Sequence, residues 1–254
     1  MTAPTAVTVD LNADAGESYG AWAMGDDRAL FGHISSTSIA CGFHAGDPTT
    51  IRSSVGAALA AGIAVGAHPG LPDRVGFGRR AMAVSPQEVY DDTLYQVAAV
   101  AGFVRAAGER LNHVKPHGAL NTAVAESSDA HADAIVRAVR ALDPELTVIA
   151  VAGSRLARVC AWLGHPFASE GFPDRGYAAD GSLLARREPG ATVVEPREAA
   201  QRAVAMVVDG CVMAVDGSRV ALAVDTLCIH GDGVRSVETA AAVRAAVEQA
   251  GVHI

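Results

Sequence analysis

The stretch Thr37-Ser38-Ile39-Ala40-Cys41-Gly42-Phe43-His44-Ala45-Gly46-Asp47-Pro48 decides how this chain is read. It begins as a short apolar run, Thr37–Cys41, of strand length. It turns through Gly42 and Gly46, which bracket a histidine, and reaches Asp47-Pro48. An Asp followed by Pro is an N-cap with proline at the first helical position, so a helix is expected to about Ala61, with Gly62 to stop it. A strand that passes through a polar turn straight into a helix is one unit of a parallel β/α fold.

The same unit recurs outward in both directions. Further strand candidates are Ala6–Leu11, Ile63–Ala67, Leu111–Val114, Thr147–Val151, Pro166–Ala168 and Thr226–His230. They read as near-continuous apolar runs, as expected where both faces of a parallel sheet are covered. Ser85-Pro86-Gln87-Glu88 supplies a capping box for a helix ending at Gly108. Other helices are expected from Ser128 or Asp129 to Asp143-Pro144, from Ser154 to Leu163, from Glu195-Pro196 to Val208, and from Ser236 to Ala250. Val212–Ala214 and Val220–Val224 flank Asp216-Gly217 and read as a β-hairpin inserted in the pattern. No Pro- or Ser-rich linker interrupts the series, so residues 1–254 are expected to form a single α/β domain with about seven parallel strands.

Such a set can close as a barrel or lie open as a doubly wound sheet. Nearly every strand candidate ends in polar residues, where reacting groups sit in parallel β/α folds. The ends give Asp10, Asn12, Asp14 and Glu17, then His44, His68, Lys115 with His117, Glu170, and His230 with Asp232. An open sheet concentrates its site at one crevice. Contributions from so many strands favour a closed barrel with one pocket.

Each of these residues also has a plainer reading. Asp47 reads best as a helix cap, and a lone His in a loop is more often a hydrogen-bonded structural group. His33, His131, His165 and His253 lie away from strand ends and are read as structural or exposed. Four histidines at four strand ends, His44, His68, His117 and His230, point instead to a site. Lys115 is the sole lysine among twenty basic residues. Retaining it suggests a need for a compact, titratable amine, whose pKa burial would lower. Asp14 with His44 and His68 would suit a divalent metal; equally, Asp14 would serve as a metal-free base and Asn12 as a carbonyl-orienting donor. Arg79 and Arg80 offer guanidinium forks for a carboxylate.

Several classes are disfavoured. The net charge of −8 carries no basic cluster of the kind nucleic acid requires. The four cysteines lack CxxC spacing, and Cys41 and Cys228 read as buried strand residues rather than nucleophiles. There is no phosphate-binding GxxxxGK[ST] or GxGxxG loop and no GxSxG elbow. Met1–Val9 lacks the pattern of a signal peptide, and Val55–Ala67 is too short and glycine-broken to span a bilayer. A cytoplasmic protein without membrane contact is expected.

The strings VDLNADAGES, SIACGFHAGDP, GAHPG with GFGRR, HVKPHGAL, ASEGFPDRGYAADGSL and DTLCIHGD, in order from Val9 to Asp232, resemble the LamB/YcsF family. The resemblance implies a seven-stranded β/α-barrel similar to that of the polysaccharide deacetylases. It also implies an ATP-hydrolysing 5-oxoprolinase activity that cleaves 5-oxo-L-proline to L-glutamate in a complex with B and C subunits. By position it suggests Asp14, His44, His68, Lys115, His117 and His230 as site residues. Catalytic roles are expected for Asp14, Lys115, His117 and His230, and substrate contacts for Asn12, His44, His68, Arg79 and Glu170. Lacking a phosphate loop, the chain is expected to leave ATP largely to its partners. Where the family pattern carries Tyr after KPHGAL this chain has Asn121, which bears on substrate specificity. Two other readings stand beside this one: a metal-dependent deacetylase or amidohydrolase, and a non-catalytic substrate-binding subunit.

Overall fold

Alternation along the first strand shows how the molecule is built. Leu11, Ala13 and Ala15 are apolar and buried, while Asp10, Asn12 and Asp14 take the intervening positions. Successive side chains of a strand point to opposite faces, so one face is oily and the other polar. In the computed structural model, which describes residues 7–254, this strand belongs to a closed ring. The ring comprises β1 (Asp10–Ala15), β2 (Ser36–Ala40), β3 (Ala64–His68), β4 (His113–Val114), β5 (Thr147–Val151) and β6 (Phe167–Gly171). A hairpin, β7 (Cys211–Met213) with β8 (Arg219–Ala221), interrupts the series, and β9 (Thr226–Ile229) closes it between β6 and β1. All seven ring strands pair in parallel.

The apolar face looks outward onto the helices. Leu11, Ile39, Ala67, Val114, Val148, Ala150 and Leu227 are wholly buried in that outer layer, against residues such as Val97, Val100, Ile135, Val139 and Val243. The inner face is polar. Register sets Asn12 beside Ser36 and Cys228, Asp14 beside Ser38, and Glu170 beside Thr226. Low in the ring the Ser35, Ser36 and Thr226 hydroxyls donate to the Asp10 carboxylate at 2.5–2.9 Å. His113, buried on β4, fills the space over Gly66, where a Cβ would come 2.1 Å from its Nε2. Glycine is required there by close approach.

The polar lining corrects several expected boundaries. The first strand lies at Asp10–Ala15 rather than Ala6–Leu11; Ala6 falls outside the described residues, and Val7 is exposed. The sixth is Phe167–Gly171 rather than Pro166–Ala168, so Glu170 is a strand residue. A continuous apolar run marks a strand buried on both faces, whereas β1 and β6 set polar residues on their inner face. Asn12, Asp14 and Glu170 therefore project inside the ring instead of lying past its strands.

Caps act where expected. Asp47 accepts from the Thr49 and Thr50 amides at 2.9 Å, and Ser85 and Glu88 form the reciprocal capping box of the helix Pro86–Ala106. The second Asp47 oxygen accepts from Gly20 N at 2.8 Å, tying down the loop after β1. A short helix at Asp27–Phe31 and a π-helical turn at Leu120–Val124 were not expected, and the latter carries Asn121. Among the described residues no helix is long and apolar enough to cross a membrane.

Candidate active site

Lys115 follows β4 and points into the ring, where its ammonium meets four acceptors. Nζ lies 2.6 Å from Asp14 Oδ1, 2.7 Å from Asn12 Oδ1, 3.0 Å from Glu170 Oε1 and 3.1 Å from Cys228 Sγ. Asn12 is itself fixed, since its Nδ2 donates to Glu170 Oε1 and Thr226 Oγ1. Burial opposes the ammonium charge, but Asp14 and then Glu170 on the carboxylate side outweigh it and hold Lys115 well above its ordinary value. Burial likewise favours neutral Asp14, yet His68 and Lys115 keep its carboxyl well below the usual range. The expectation of a lysine pushed toward neutrality is thus overturned. Two anions beside one buried cation reverse the effect of desolvation.

Above this layer sit Glu17, His44, His68 and His117, all buried. His68 Nδ1 lies 2.6 Å from the Lys115 carbonyl oxygen, and His117 Nε2 lies 2.8 Å from that of Phe77. A carbonyl oxygen only accepts, so each of those nitrogens carries a hydrogen. A neutral imidazole has only one N–H. His68 Nε2 and His117 Nδ1, 2.9 Å apart, therefore face each other with lone pairs unless a cation intervenes. A proton on His68, 3.2 Å from Asp14 Oδ1, would relieve that pair. It would leave both ring nitrogens of His44 and Oε1 of Glu17 buried without partners. A metal ion would answer all of these but the second His44 nitrogen: one atom from each of Glu17, His44, His68 and His117 lies within 4.8 Å of the others. The donors, three imidazoles and a carboxylate, suit a divalent transition ion.

The surrounding loops are shaped for this cluster. His44 stacks on His117 at 3.8 Å between ring centroids, with Phe77 edge-on to both. A Cβ on Gly70 would come 2.5 Å from His44 Nδ1, and one on Gly78 would come 2.7 Å from His44 Cβ. Phe77 has φ +55°, a strained value for a residue with a side chain. The strained turn aims the carbonyl that accepts from His117.

His230, after β9, is held separately. Its Nδ1 lies 2.9 Å from Asp174 Oδ2, whose oxygen also accepts from the His230 amide at 3.0 Å. Burial would raise the Asp174 carboxyl, but the charge and hydrogen bonds of His230 bring it below its ordinary value. Nε2 of His230 is left for a reactant. Nearby, Cys228 has its thiol pushed well up by burial, and burial also raises that of Cys41. Protonated thiols make poor nucleophiles.

Asp14, His68, Arg79, Lys115, His117, Glu170 and His230 line one cavity of about 300 Å³. Two expected substrate contacts do not reach it: Asn12 lies beneath Lys115, and His44 lies behind His117. The metal group suggested by sequence, Asp14 with His44 and His68, is also rearranged. Glu17 and His117 join the two histidines, while Asp14 turns to Lys115. Arg80 pairs with Asp73 at the surface, away from the cavity. His113, Glu17 as a ligand, and Asp174 are not among the site residues expected from the sequence. His113 stands two residues before Lys115, so strand alternation alone would have put it on the inner face. Asp174 gave no such signal, because only the fold brings its loop to His230.

Comparison with known proteins agrees with the fold. The LamB/YcsF family model matches residues 9–254. A curated relative from Tolumonas auensis, named as the A subunit of 5-oxoprolinase, is 53% identical over 97% of this chain and 98% of its own. One of the same name from Thermus thermophilus is 51% identical over the same shares. The crystal structure of the lactam utilization protein from Thermus thermophilus superposes with a TM-score of 0.91, at 50% identity over 98% of this chain and 99% of that one.

Proposed function

The chain belongs to the LamB/YcsF family, and from that premise we propose that it is the ring-opening subunit of an ATP-dependent 5-oxoprolinase. It converts 5-oxo-L-proline to L-glutamate in the cytoplasm, together with B and C subunits that supply most of the contacts to ATP. The observation that carries this reading is the convergence of Asp14, His68, Lys115, His117, Glu170 and His230 on one small cavity. That cavity is of a size for a five-membered lactam.

An amide carbonyl is a weak electrophile, and transfer of the ATP γ-phosphoryl group to the lactam oxygen would activate it. Water then adds to the ring carbon, the carbon–nitrogen bond breaks to leave an acyl phosphate, and a second water takes the phosphoryl group, releasing phosphate and the carboxylate. His230 is the base that takes the water proton, because Asp174 fixes its tautomer and stabilises the imidazolium. It returns that proton to the ring nitrogen as the ring opens. His117 is unsuited to that transfer, since its N–H is committed to the Phe77 carbonyl. Asp14, held ionised, orients the water and balances the charge on His230. Lys115 has all three of its hydrogens engaged, so it acts as a positioning residue for Asp14 and Glu170 rather than as an oxyanion donor.

The test is reconstitution: this chain, mixed with its B and C partners, is expected to release glutamate from 5-oxo-L-proline only when ATP is present. Release without ATP, or none with every partner present, sinks the reading.

The facing lone pairs of His68 and His117 favour a second element, a divalent ion held by Glu17, His44, His68 and His117. When bound, such an ion would supply Lewis-acid polarisation of a ligand oxygen. Elemental analysis of purified protein is expected to find about one equivalent of transition metal per chain, lost in His44→Gln. Protein that carries no metal and whose melting temperature is unmoved by added Zn²⁺, Mn²⁺ or Co²⁺ would refute it.

A further inference from the structure

The segment after β6 folds back across the mouth of the ring, and it carries two arginines that the chemistry above leaves idle. Arg175 is 7% exposed, and Arg186 is half-buried; both line the cavity. Arg175 Nε donates to the Ala191 carbonyl at 2.9 Å, and Nη2 donates to that of Leu184 at 2.6 Å. Nη1 has no partner among the described residues. Nor does any carboxylate among them form an ion pair with Arg175 or Arg186, whereas Arg79 is paired with Asp232 at 2.7 Å. A buried guanidinium fixed by two carbonyls with no carboxylate in direct contact is unusual, because desolvated charge is normally paired; Asp174, whose charge does reach it, is bonded to His230. Burial, with the charge of Arg186 beside it, brings Arg175 down to about 10, which still leaves it charged at neutral pH.

The same cavity also holds groups of the opposite character, with Asp14 and Glu170 around Lys115. A third feature belongs to the same lining. Asn121 is 4% exposed and lines the cavity, yet its carboxamide makes no hydrogen bond among the described residues, and its Oδ1 is a buried acceptor without a donor. A half-turn about χ2 presents either end of that amide to a ligand.

We propose that Arg175 and Arg186 form the carboxylate subsite of this cavity, with Asn121 facing the adjacent ring N–H. The site thereby selects cyclic amides that carry a carboxylate next to the amide nitrogen. This rests on the lactam-opening reading and deepens it. It also replaces Arg79, the expected carboxylate ligand, because that guanidinium already has an acidic partner. A guanidinium pair matches the two oxygens of a carboxylate in geometry and charge, and Arg175 is held in place before any ligand arrives. The same pair would also suit a phosphoryl group, so the experiment has to separate the two anions.

The reconstituted complex with saturating partners is assayed for glutamate release while 5-oxo-L-proline and ATP are varied in turn. Arg186→Met, which breaks no hydrogen bond among the described residues, is expected to raise KM for 5-oxo-L-proline at least tenfold, with KM for ATP unchanged. Arg175→Lys is expected to do the same; if it misfolds because the Ala191 and Leu184 carbonyls lose their donors, Arg186→Met carries the test alone. The uncharged ring 2-pyrrolidinone, used as a competitor, is expected to inhibit wild type and Arg186→Met equally. An unchanged KM for 5-oxo-L-proline in Arg186→Met, or a rise confined to ATP, overturns the subsite while leaving the ring-opening activity standing. Loss of glutamate release from the wild-type complex would instead count against that activity.

Discussion

Lys115→Met is expected to lower glutamate release by the reconstituted complex at least about a hundredfold and to cost about 3–5 kcal/mol of stability. The two effects share one cause. Among the described residues Lys115 is the only cation within ion-pair distance of Asp14 and Glu170, apart from His68 beside Asp14. Methionine fills much of the same volume but leaves two carboxylates desolvated and facing each other. Either one takes up a proton or the inner wall rearranges, and in both cases the cavity loses its fixed anion. Denaturant unfolding and steady-state turnover, measured on the same preparation, read out both consequences. Adding Glu170→Gln to Lys115→Met is expected to restore part of the stability without restoring turnover. A Lys115→Met protein with wild-type midpoint and turnover would show that the network is ornamental. The pair formed by low Asp14 and high Lys115 also stays charged across the neutral range, so it contributes no limb to a pH–rate profile there.

His230→Gln is expected to reduce kcat about a thousandfold, within the span typical of a lost general base, with KM for 5-oxo-L-proline nearly unchanged. Glutamine keeps a polar group near Asp174 but cannot exchange a proton. Asp174→Asn is the informative companion. It keeps the side-chain volume while removing the anion that holds the Nδ1 hydrogen in place, and it should reduce kcat by a smaller factor, about a hundredfold. If both variants turn over normally, Asp14 with an unassisted water must be the base, and the assignment of His230 fails. A fall in KM-controlled rate alone, with kcat intact, would move His230 from proton transfer to substrate binding.

The sequence made the number and order of β/α units legible, because caps such as Ser85–Glu88 and Asp47-Pro48 are local and act as expected. Closure into a barrel was also readable from polar residues at many strand ends. What could not be read was which polar residues lie inside the ring and which lie above it. Asn12 and His44 were expected to meet a ligand, yet Asn12 sits beneath Lys115 and His44 behind His117, while Glu170 lines the cavity and also bonds Asn12 and Lys115. That distinction depends on register between strands far apart in sequence. The sign of the Lys115 shift escapes a local reading for the same reason: burial is a property of one residue, but the compensating charges come from β1 and β6. Asp174 and Arg175 stand within the string ASEGFPDRGYAADGSL, but nothing local gives them a role, since only the return of their loop across the mouth gives them partners.

The outward-facing oil and inward-facing charge of this ring separate two tasks that most proteins impose on the same atoms. Cohesion comes from the sleeve where strands meet helices, with residues such as Leu11, Ile39 and Val148 fully enclosed there. The lumen adds to cohesion through the balance of its charges rather than through apolar packing, so within that balance its side chains are free to be arranged for reactivity. Exchanges among lumen residues that preserve charge balance should therefore alter what the molecule transforms long before they threaten whether it folds, while a single polar intruder in the sleeve should do the reverse.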